Sequence, residues 1–256
     1  MNNTFTQRRR SLLLAACAVA LAAPVPQALA FSFWGEKVQG SGRVITQARE
    51  VGHFQGLSLD VPGNVELRIG NSESVTVETD DNLQPLVETV VEDGMLKIRP
   101  SRRNLNLNTR TLRIVVQART IDRLNVAGSG SVSADALRAP KLDLHIGGSG
   151  NISVKGVDTD ALVINLGGSG ALVTGSGNAR QVSVKIAGSG NVDVGRVKAE
   201  DVSVKVAGSG DTTAWATKTL AVKIAGSGDI KYYGDPALSR SVAGSGDVKR
   251  LGDAPR

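Results

Sequence analysis

Few of the 256 residues in this sequence are of types that catalyse reactions or bind metals, and those few lie far apart. The only histidines are His53 and His145, and Cys17 is the only cysteine. Nucleophilic catalysis needs a base beside the nucleophile, and a structural zinc site needs about four nitrogen or sulfur ligands. We predict that His53 has a structural role and that His145 is a solvated strand residue. We therefore expect no catalysis, no cofactor and no bound metal.

Gly-Ser-Gly is the most frequent short motif, and it could be mistaken for a phosphate-binding loop. A P-loop ends in Gly-Lys followed by Ser or Thr, and a dinucleotide loop has a third glycine at the start of a helix. The Gly-Ser-Gly copies have neither feature. Nucleic-acid binding is also not expected, because no basic stripe with interleaved aromatic residues is present.

Three aspartates, Asp211, Asp229 and Asp247, directly follow Gly-Ser-Gly copies. Stacked carboxylates could bind Ca²⁺, which prefers oxygen ligands. Calcium-binding β-rolls use a repeat of about nine residues, whereas these aspartates are spaced by 18. The alternative is that each aspartate accepts backbone N–H groups in its own turn.

Lys185, Lys205 and Lys223 precede successive Gly-Ser-Gly copies at equivalent positions. They could form a solvated face, or a stripe that attracts acidic glycans or lipopolysaccharide. Trp215 could fill the core of a shortened coil, or it could be an exposed residue on which sugars stack. These three lysines and Trp215 are the candidate ligand-binding residues. A polysaccharide lyase is the enzymatic alternative, and it would need acidic metal ligands and a basic residue on one outer face.

An internal repeat positions these residues. Seven Gly-Ser-Gly copies follow one another at spacings of 20, 20, 20, 20, 18 and 18 residues, and further copies at Gly40 and Gly175 lie outside the series. The seven begin at Gly128, Gly148, Gly168, Gly188, Gly208, Gly226 and Gly244. A fixed period indicates stacked structural units.

Each copy is preceded by apolar residues in strict alternation, which predicts a half-buried strand. One such column contains Ile164, Val184 and Val204, and a shorter alternating run follows most copies. A unit of about 20 residues buries its apolar face only by stacking on the next unit, about 4.8 Å away. We therefore predict an all-β parallel β-solenoid (β-helix), with 18–20 residues per coil and Gly-Ser-Gly corners. Arg240 takes an inward position, which predicts that the solenoid ends or opens at that coil.

Residues 44–127 are β-rich but less regular, and we group them with the repeats of 128–250 in one domain. Asp81 to Leu86 is predicted to form a short helix with Asp81 as its N-cap. Residues 31–43 are a lead-in, and residues 251–256 are predicted to be a frayed tail. Aromatic residues make up only 3% of the chain, whereas glycine numbers 30. This composition indicates thin aliphatic layers between many turns.

The first 30 residues have the features of a signal peptide. The basic region of the signal peptide consists of Arg8, Arg9 and Arg10, which account for three units of the net charge of +6. An apolar stretch follows it. Ala28-Leu29-Ala30 is a small-residue cleavage site, so we expect cleavage after Ala30. No segment after Ala30 is apolar enough to span a membrane. We expect an exported protein in the periplasm, at the cell surface or in the medium, with twin-arginine export as one route.

Several motifs occur together in a fixed order, and they resemble the head GIN domain family of putative auto-transporter adhesins. The resemblance covers roughly residues 44–250. The motifs are His53-Phe54-Gln55-Gly56-Leu57, Gly63-Asn64-Val65, Ser74-Val75-Thr76-Val77, Asp80-Asp81-Asn82-Leu83, Glu92-Asp93-Gly94-Met95-Leu96-Lys97-Ile98, and the repeated Gly-Ser-Gly-Asn/Asp.

The resemblance implies a right-handed parallel β-helix, similar to pectin-lyase-like folds but without their catalytic residues. It also implies an adhesive or cell-envelope binding role. A glycan or another envelope polyanion is the expected partner. The alternatives are a carbohydrate-active enzyme of the lyase type and a purely structural envelope protein.

The leader generates the first prediction. The exported protein should begin at Phe31, because Ala28-Leu29-Ala30 meets the small-residue rule of signal peptidase. Mass spectrometry of the exported protein measures its first residue directly. Leu14-Ala15-Ala16-Cys17 resembles a lipobox, which would direct lipidation of Cys17. A lipidated protein that begins at Cys17 would contradict the prediction and would instead indicate a membrane-anchored form.

Overall fold

Each alternating run has one apolar face, and the chain coils because that face can be buried only against the equivalent run one repeat away. The computed structural model describes residues 36–255, which lie within one compact unit. The predicted signal segment, with Cys17 and Ala30, and the first residues of the lead-in lie outside the described residues. Within residues 36–255, no helix is long and apolar enough to cross a membrane.

The described residues are almost entirely β-strands and turns, with one short 3-10 helix at Gln84–Leu86. The strands are β1 (Glu36–Gln39), β2 (Val44–Arg49), β3 (Gly56–Leu59), β4 (Asn64–Ile69), β5 (Ser74–Asp80), β6 (Val87–Glu92), β7 (Met95–Pro100), β8 (Leu105–Asn108), β9 (Leu112–Ala118), β10 (Arg123–Gly128), β11 (Ser131–Arg138), β12 (Lys141–Gly148), β13 (Asn151–Gly168), β14 (Ala171–Gly188), β15 (Asn191–Gly208), β16 (Thr212–Gly226), β17 (Ile230–Tyr233), β18 (Ala237–Gly244) and β19 (Val248–Gly252).

The repeats stack as a parallel solenoid with two main faces. The front face consists of β10, β12, the second halves of β13 to β16, and β18; the back face consists of β11, the first halves of β13 to β16, β17 and β19. Ile164, Val184 and Val204 are register partners, and each is fully buried, with 0% of its surface exposed. The predicted β-solenoid and its register are confirmed.

The Gly-Ser-Gly corners bring the backbones of successive coils into close contact. Gly188 has a φ of +134°, and a Cβ there would collide with the carbonyl oxygen of Gly168. A Cβ on Gly190 would collide with the carbonyl oxygen of Gly170. Ser189 is exposed, and its N–H donates to the Gly168 carbonyl at 2.9 Å. Both glycines are therefore required by the spacing of the coils, whereas the serine side chain points to solvent.

The two Gly-Ser-Gly copies outside the series have different roles. Gly175 and Gly177 lie at the opposite corner of the coil, where a Cβ would collide with the backbone of the preceding coil. The copy at Gly40 is held by side chains that follow β5, because the Ser41 N–H donates to Asn82 Oδ1 at 2.9 Å. The Gly42 N–H donates to Asp80 Oδ1 at 2.6 Å.

The less regular segment before Gly128 belongs to the same stack. β3 pairs in parallel with β10 and β7, and β4 pairs in parallel with β11 and β9. Antiparallel pairs, β2 with β5, β5 with β9, and β6 with β7, complete this end. The predicted helix from Asp81 to Leu86 is wrong: only Gln84–Leu86 is helical, with Leu83 at its N-terminus. Asp81 instead accepts a hydrogen bond from Ser41 and pairs with Arg43.

The C-terminal end of the solenoid is an open coil, as the inward position of Arg240 predicts. Within the described residues, β18 pairs only with β16, and all eight residues of β18 are exposed. Leu238 is 40% exposed and Val242 is 39% exposed. The prediction that the chain frays from Leu251 is wrong for its first residues, because β19 continues to Gly252.

The register generates the second prediction. Val184→Asp should lower the stability by about 3 kcal/mol or more, because it places an unpaired charge inside the aliphatic column. For a domain of this size, that corresponds to a fall of about 10 °C in Tm. Ser183→Asp is the matched control, because Ser183 lies on the outer surface of the same strand. Similar melting temperatures for the two variants would contradict the register.

Candidate functional site

The outer surface of the front face carries one straight row of polar side chains, here called the polar row. Side chains two residues apart on a strand point to the same side, and parallel pairing aligns them from coil to coil. The register places the following residues side by side: Asn125, His145, Asn165, Lys185, Lys205, Lys223 and Ser241. The three predicted lysines are adjacent in this row, so the structure confirms that they form a column.

A second row, the small-residue row, lies two positions further along each strand. Its members have no side chain beyond a methyl group: Ala127, Gly147, Gly167, Ala187, Ala207, Ala225 and Ala243. Because larger side chains are missing there, a groove of about 770 Å³ runs beside the polar row. Its lining includes the polar row, the small-residue row from Gly147 to Ala243, and the edges of inward apolar residues such as Ile186 and Ile224.

The three lysines of the polar row carry positive charge that no acidic neighbour neutralises. They are exposed, and no ion pair within residues 36–255 includes them. Three other lysines on the coils, Lys141, Lys155 and Lys218, are paired with carboxylates. Lys155 Nζ lies 2.8 Å from Asp135 Oδ1, and that hydrogen bond raises the pKa of Lys155. Neighbouring ammonium groups at strand spacing repel one another by roughly 1 kcal/mol in water. A bound anion would relieve this repulsion.

Sequence reasoning missed the part of the polar row that precedes the lysines. Asn125, His145 and Asn165 extend the lysines toward the N-terminal end of the groove. His145 lies on the outer surface as predicted, but it is half-buried and lines the groove. Its position 20 residues from Asn125 and from Asn165 is a signal that the period could have revealed.

Trp215 does not fill the core, so that interpretation was wrong. The inward residues beside it are Ala214 and Ala216, whereas Trp215 is half-buried on the outer surface. The shorter coil arises from two register shifts, one between Val194 and Lys198 and one between Ala199 and Asp201. The inward columns continue from Val194 to Ala214 and from Ala199 to Ala216, whereas buried Val197 has no register partner on the shorter coil. The indole ring lies outside these columns.

Trp215 also does not join the three lysines. It pairs in register with Tyr233 and lies outside the residues that line the groove. The Lys198 ammonium lies 5.9 Å from the centroid of the Trp215 ring, which is cation–π distance. One face of the ring is therefore already occupied by a side chain.

The aspartate row binds backbone groups of the neighbouring coil. Asp211 Oδ1 accepts the N–H of Asp229 at 2.8 Å, and Asp229 Oδ1 accepts the N–H of Asp247 at 2.9 Å. Only Asp247 accepts an N–H from its own turn, that of Val248. Asn191 Oδ1 accepts the N–H of Asp211 on the next coil at 3.1 Å, so an amide oxygen can make the same bond between coils as a carboxylate oxygen. Within residues 36–255, no group of three or more His, Cys, Asp or Glu side chains is placed to hold a metal.

Other charged clusters in the described structure are internally paired. Glu92 accepts hydrogen bonds from Arg99 and Lys97, which lower the pKa of Glu92 to about 2. Glu66 pairs with Arg68 and Arg113, and these hydrogen bonds lower the pKa of Glu66. These clusters lack the uncompensated charge of the polar row.

His53 and His145 lie in different parts of the structure. His53 Nδ1 lies 2.6 Å from Glu73 Oε1, in the segment before β3. His145 lies in the polar row on β12. Each histidine thus has surroundings of its own.

A family model described as "putative auto-transporter adhesin, head GIN domain" matches residues 53–236. A comparison with curated proteins finds no match. The crystal structure of a putative adhesin from Bacteroides fragilis is 25% identical, with a TM-score of 0.77 over 84% of this chain and 100% of that chain.

Two further solved structures share the fold at lower identity. A putative lipid binding protein from Parabacteroides distasonis is 24% identical, with a TM-score of 0.69 over 84% of this chain and 100% of that chain. A putative adhesin from Parabacteroides merdae is 21% identical, with a TM-score of 0.68 over 85% of this chain and 100% of that chain. At these identities, the two structures show the fold alone.

The aspartate row generates the third prediction. Ca²⁺ should leave the Tm unchanged, because the aspartate oxygens already accept backbone N–H groups of the next coil. A true calcium site would stabilise the folded state by about 2.7 kcal/mol at about a hundredfold excess over Kd. Asp229→Asn should also be nearly silent, since Asn191 makes the equivalent hydrogen bond. A calcium-dependent rise in Tm that is lost in Asp229→Asn would overturn this assignment.

Proposed function

Because this chain belongs to the family of putative auto-transporter adhesins with a head GIN domain, we propose that it is an exported, non-catalytic binding module of the bacterial cell envelope. Its ligand is an anionic glycan or another envelope polyanion. The observation that carries this proposal is the column of Lys185, Lys205 and Lys223, whose charges are aligned by the register and unpaired within the described structure.

The proposed binding mode depends on charge density. Three ammonium groups spaced by about 4.8 Å along one line create a local positive potential. A ligand with a single negative charge gains from one lysine at a time, whereas a polyanion interacts with all three. The solenoid holds the lysine backbones in place before binding, so the ligand does not have to order them.

The proposed location outside the cytoplasm rests on the leader and on the family. Arg8 to Arg10, the apolar stretch after them and the site at Ala30 have the features of export. After cleavage at Ala30 the protein contains no cysteine. Its stability would then come from stacked coils alone, which suits an oxidising or a reducing compartment equally.

The fourth prediction tests the lysine column. The purified protein should bind polygalacturonate, a linear polyuronate, and the affinity should fall steeply from about 0.01 M to about 1 M NaCl, as the Debye length shrinks from about 30 Å to about 3 Å. The triple variant Lys185→Gln, Lys205→Gln, Lys223→Gln should lose this binding and keep its Tm. Isothermal calorimetry and thermal melts measure the two properties.

The matched control changes three lysines outside the polar row, Lys198→Gln, Lys231→Gln and Lys249→Gln. It removes the same charge, and it should bind almost as the unaltered protein does. Equal losses in both triple variants would show that net charge, not the column, attracts the ligand. Release of unsaturated products from polygalacturonate would identify a lyase and refute the non-catalytic role.

A further inference from the structure

We infer that the groove binds a linear, unbranched anionic polysaccharide that lies along the solenoid axis, parallel to the polar row. This inference rests on the proposed function and specifies its ligand class. The groove is the feature that carries it, because the groove combines uncompensated positive charge with an apolar floor along one straight line. Each of these properties restricts the chemistry of the occupant.

The length and period of the groove fit a polymer. The polar row runs over seven coils, from Asn125 to Ser241, so its six steps span about 29 Å at about 4.8 Å per coil. Each coil offers one polar side chain at the same position. A site that repeats in one dimension matches a ligand that repeats in one dimension, and a compact anion would leave most of the row unused.

The floor of the groove fits the faces of sugar rings. Alanine methyl groups at positions 187, 207 and 225 lie beside the edges of Ile186 and Ile224. The C–H faces of pyranose rings can pack against such a surface, while the polar edges of the rings reach the lysines and asparagines. A simple inorganic polyanion has no apolar face for this floor.

A lipid matches the groove less well than a polysaccharide does. An anionic lipid has its charge at one end and an apolar tail at the other. The polar groups of this groove, in contrast, recur on every coil beside the floor. A tail laid along the groove would desolvate several of them without giving hydrogen bonds, which is costly.

The charge along the groove is uneven, so its two halves should contact different groups of the ligand. The lysines occupy its C-terminal half, whereas Asn125, His145 and Asn165 occupy its N-terminal half. Acidic groups should therefore lie over Lys185 to Lys223, and hydroxyl groups should bond to the asparagines. Affinity for galacturonate oligomers should rise with length until the chain spans the groove.

The test fills the floor of the groove without changing its charge. The double variant Ala187→Ile, Ala207→Ile puts branched side chains on two exposed floor positions. Its control, Ser183→Ile, Ser203→Ile, puts the same side chains on the same two coils, on the other side of Lys185 and Lys205. The floor variant should bind polygalacturonate at least about tenfold more weakly, because it blocks ring packing. The control should change the affinity by less than about twofold.

The possible outcomes separate this inference from the proposed function. If the floor variant binds normally while the triple lysine variant does not, the groove inference fails and the lysine column stands. If phosphatidylglycerol vesicles, but not polygalacturonate, bind in a way that the floor variant abolishes, the ligand is a lipid and the inference is overturned. If the unaltered protein binds none of these probes, both proposals fail. Thermal melts confirm that each variant is folded.

Discussion

The close approach of successive coils at the Gly-Ser-Gly corners is the constraint on which the rest of the structure depends. A Cβ at Gly188 or Gly190 would occupy the space of a carbonyl oxygen in the preceding coil. Because both glycines have only a hydrogen atom at that position, the Ser189 N–H can reach the Gly168 carbonyl. The strands on both sides of the corner then keep the spacing of a parallel sheet. A corner locked in this way fixes the register of whole coils. The inward aliphatic columns and the outward rows of side chains both follow from that register.

A strict register explains which features could be predicted from the sequence. The position of Val184 between Ile164 and Val204 follows from counting residues between glycine corners, and the column of lysines follows from the same count. The side of the sheet on which Trp215 lies could not be predicted by counting. Its coil is two residues shorter than the coils before it, and the sequence does not show whether the strand or the corner is shortened. In the structure, both register shifts lie between Val194 and Asp201, and the column that contains Val184 and Val204 continues to Val222.

Two other features depend on contacts between residues distant in sequence. The local pattern from Asp81 to Leu86 resembles a capped helix, but Asp81 is used to hold Ser41 and Arg43 of the lead-in. Tertiary contacts override a weak local preference of this kind. The groove could not be predicted from residue types, because the charged residues indicate only the lysines, whereas a groove forms where side chains are small. Position in the register, not residue type, identifies Ala187 and Ala207 as its floor.

The same constraint limits where function can reside. Inward positions are held by the aliphatic stack, and the corner glycines are held by the backbone of the neighbouring coil, so only outward positions can vary without loss of the fold. On the front face, those positions combine a polar row with a row that lacks bulk, and together they form a long concave surface. Lys231 and Lys249 also align on the back face, yet the groove does not extend to them. Aligned positive charge therefore occurs on both faces, but only on the front face does it lie beside this groove. The periodic fold extends that combination over several coils.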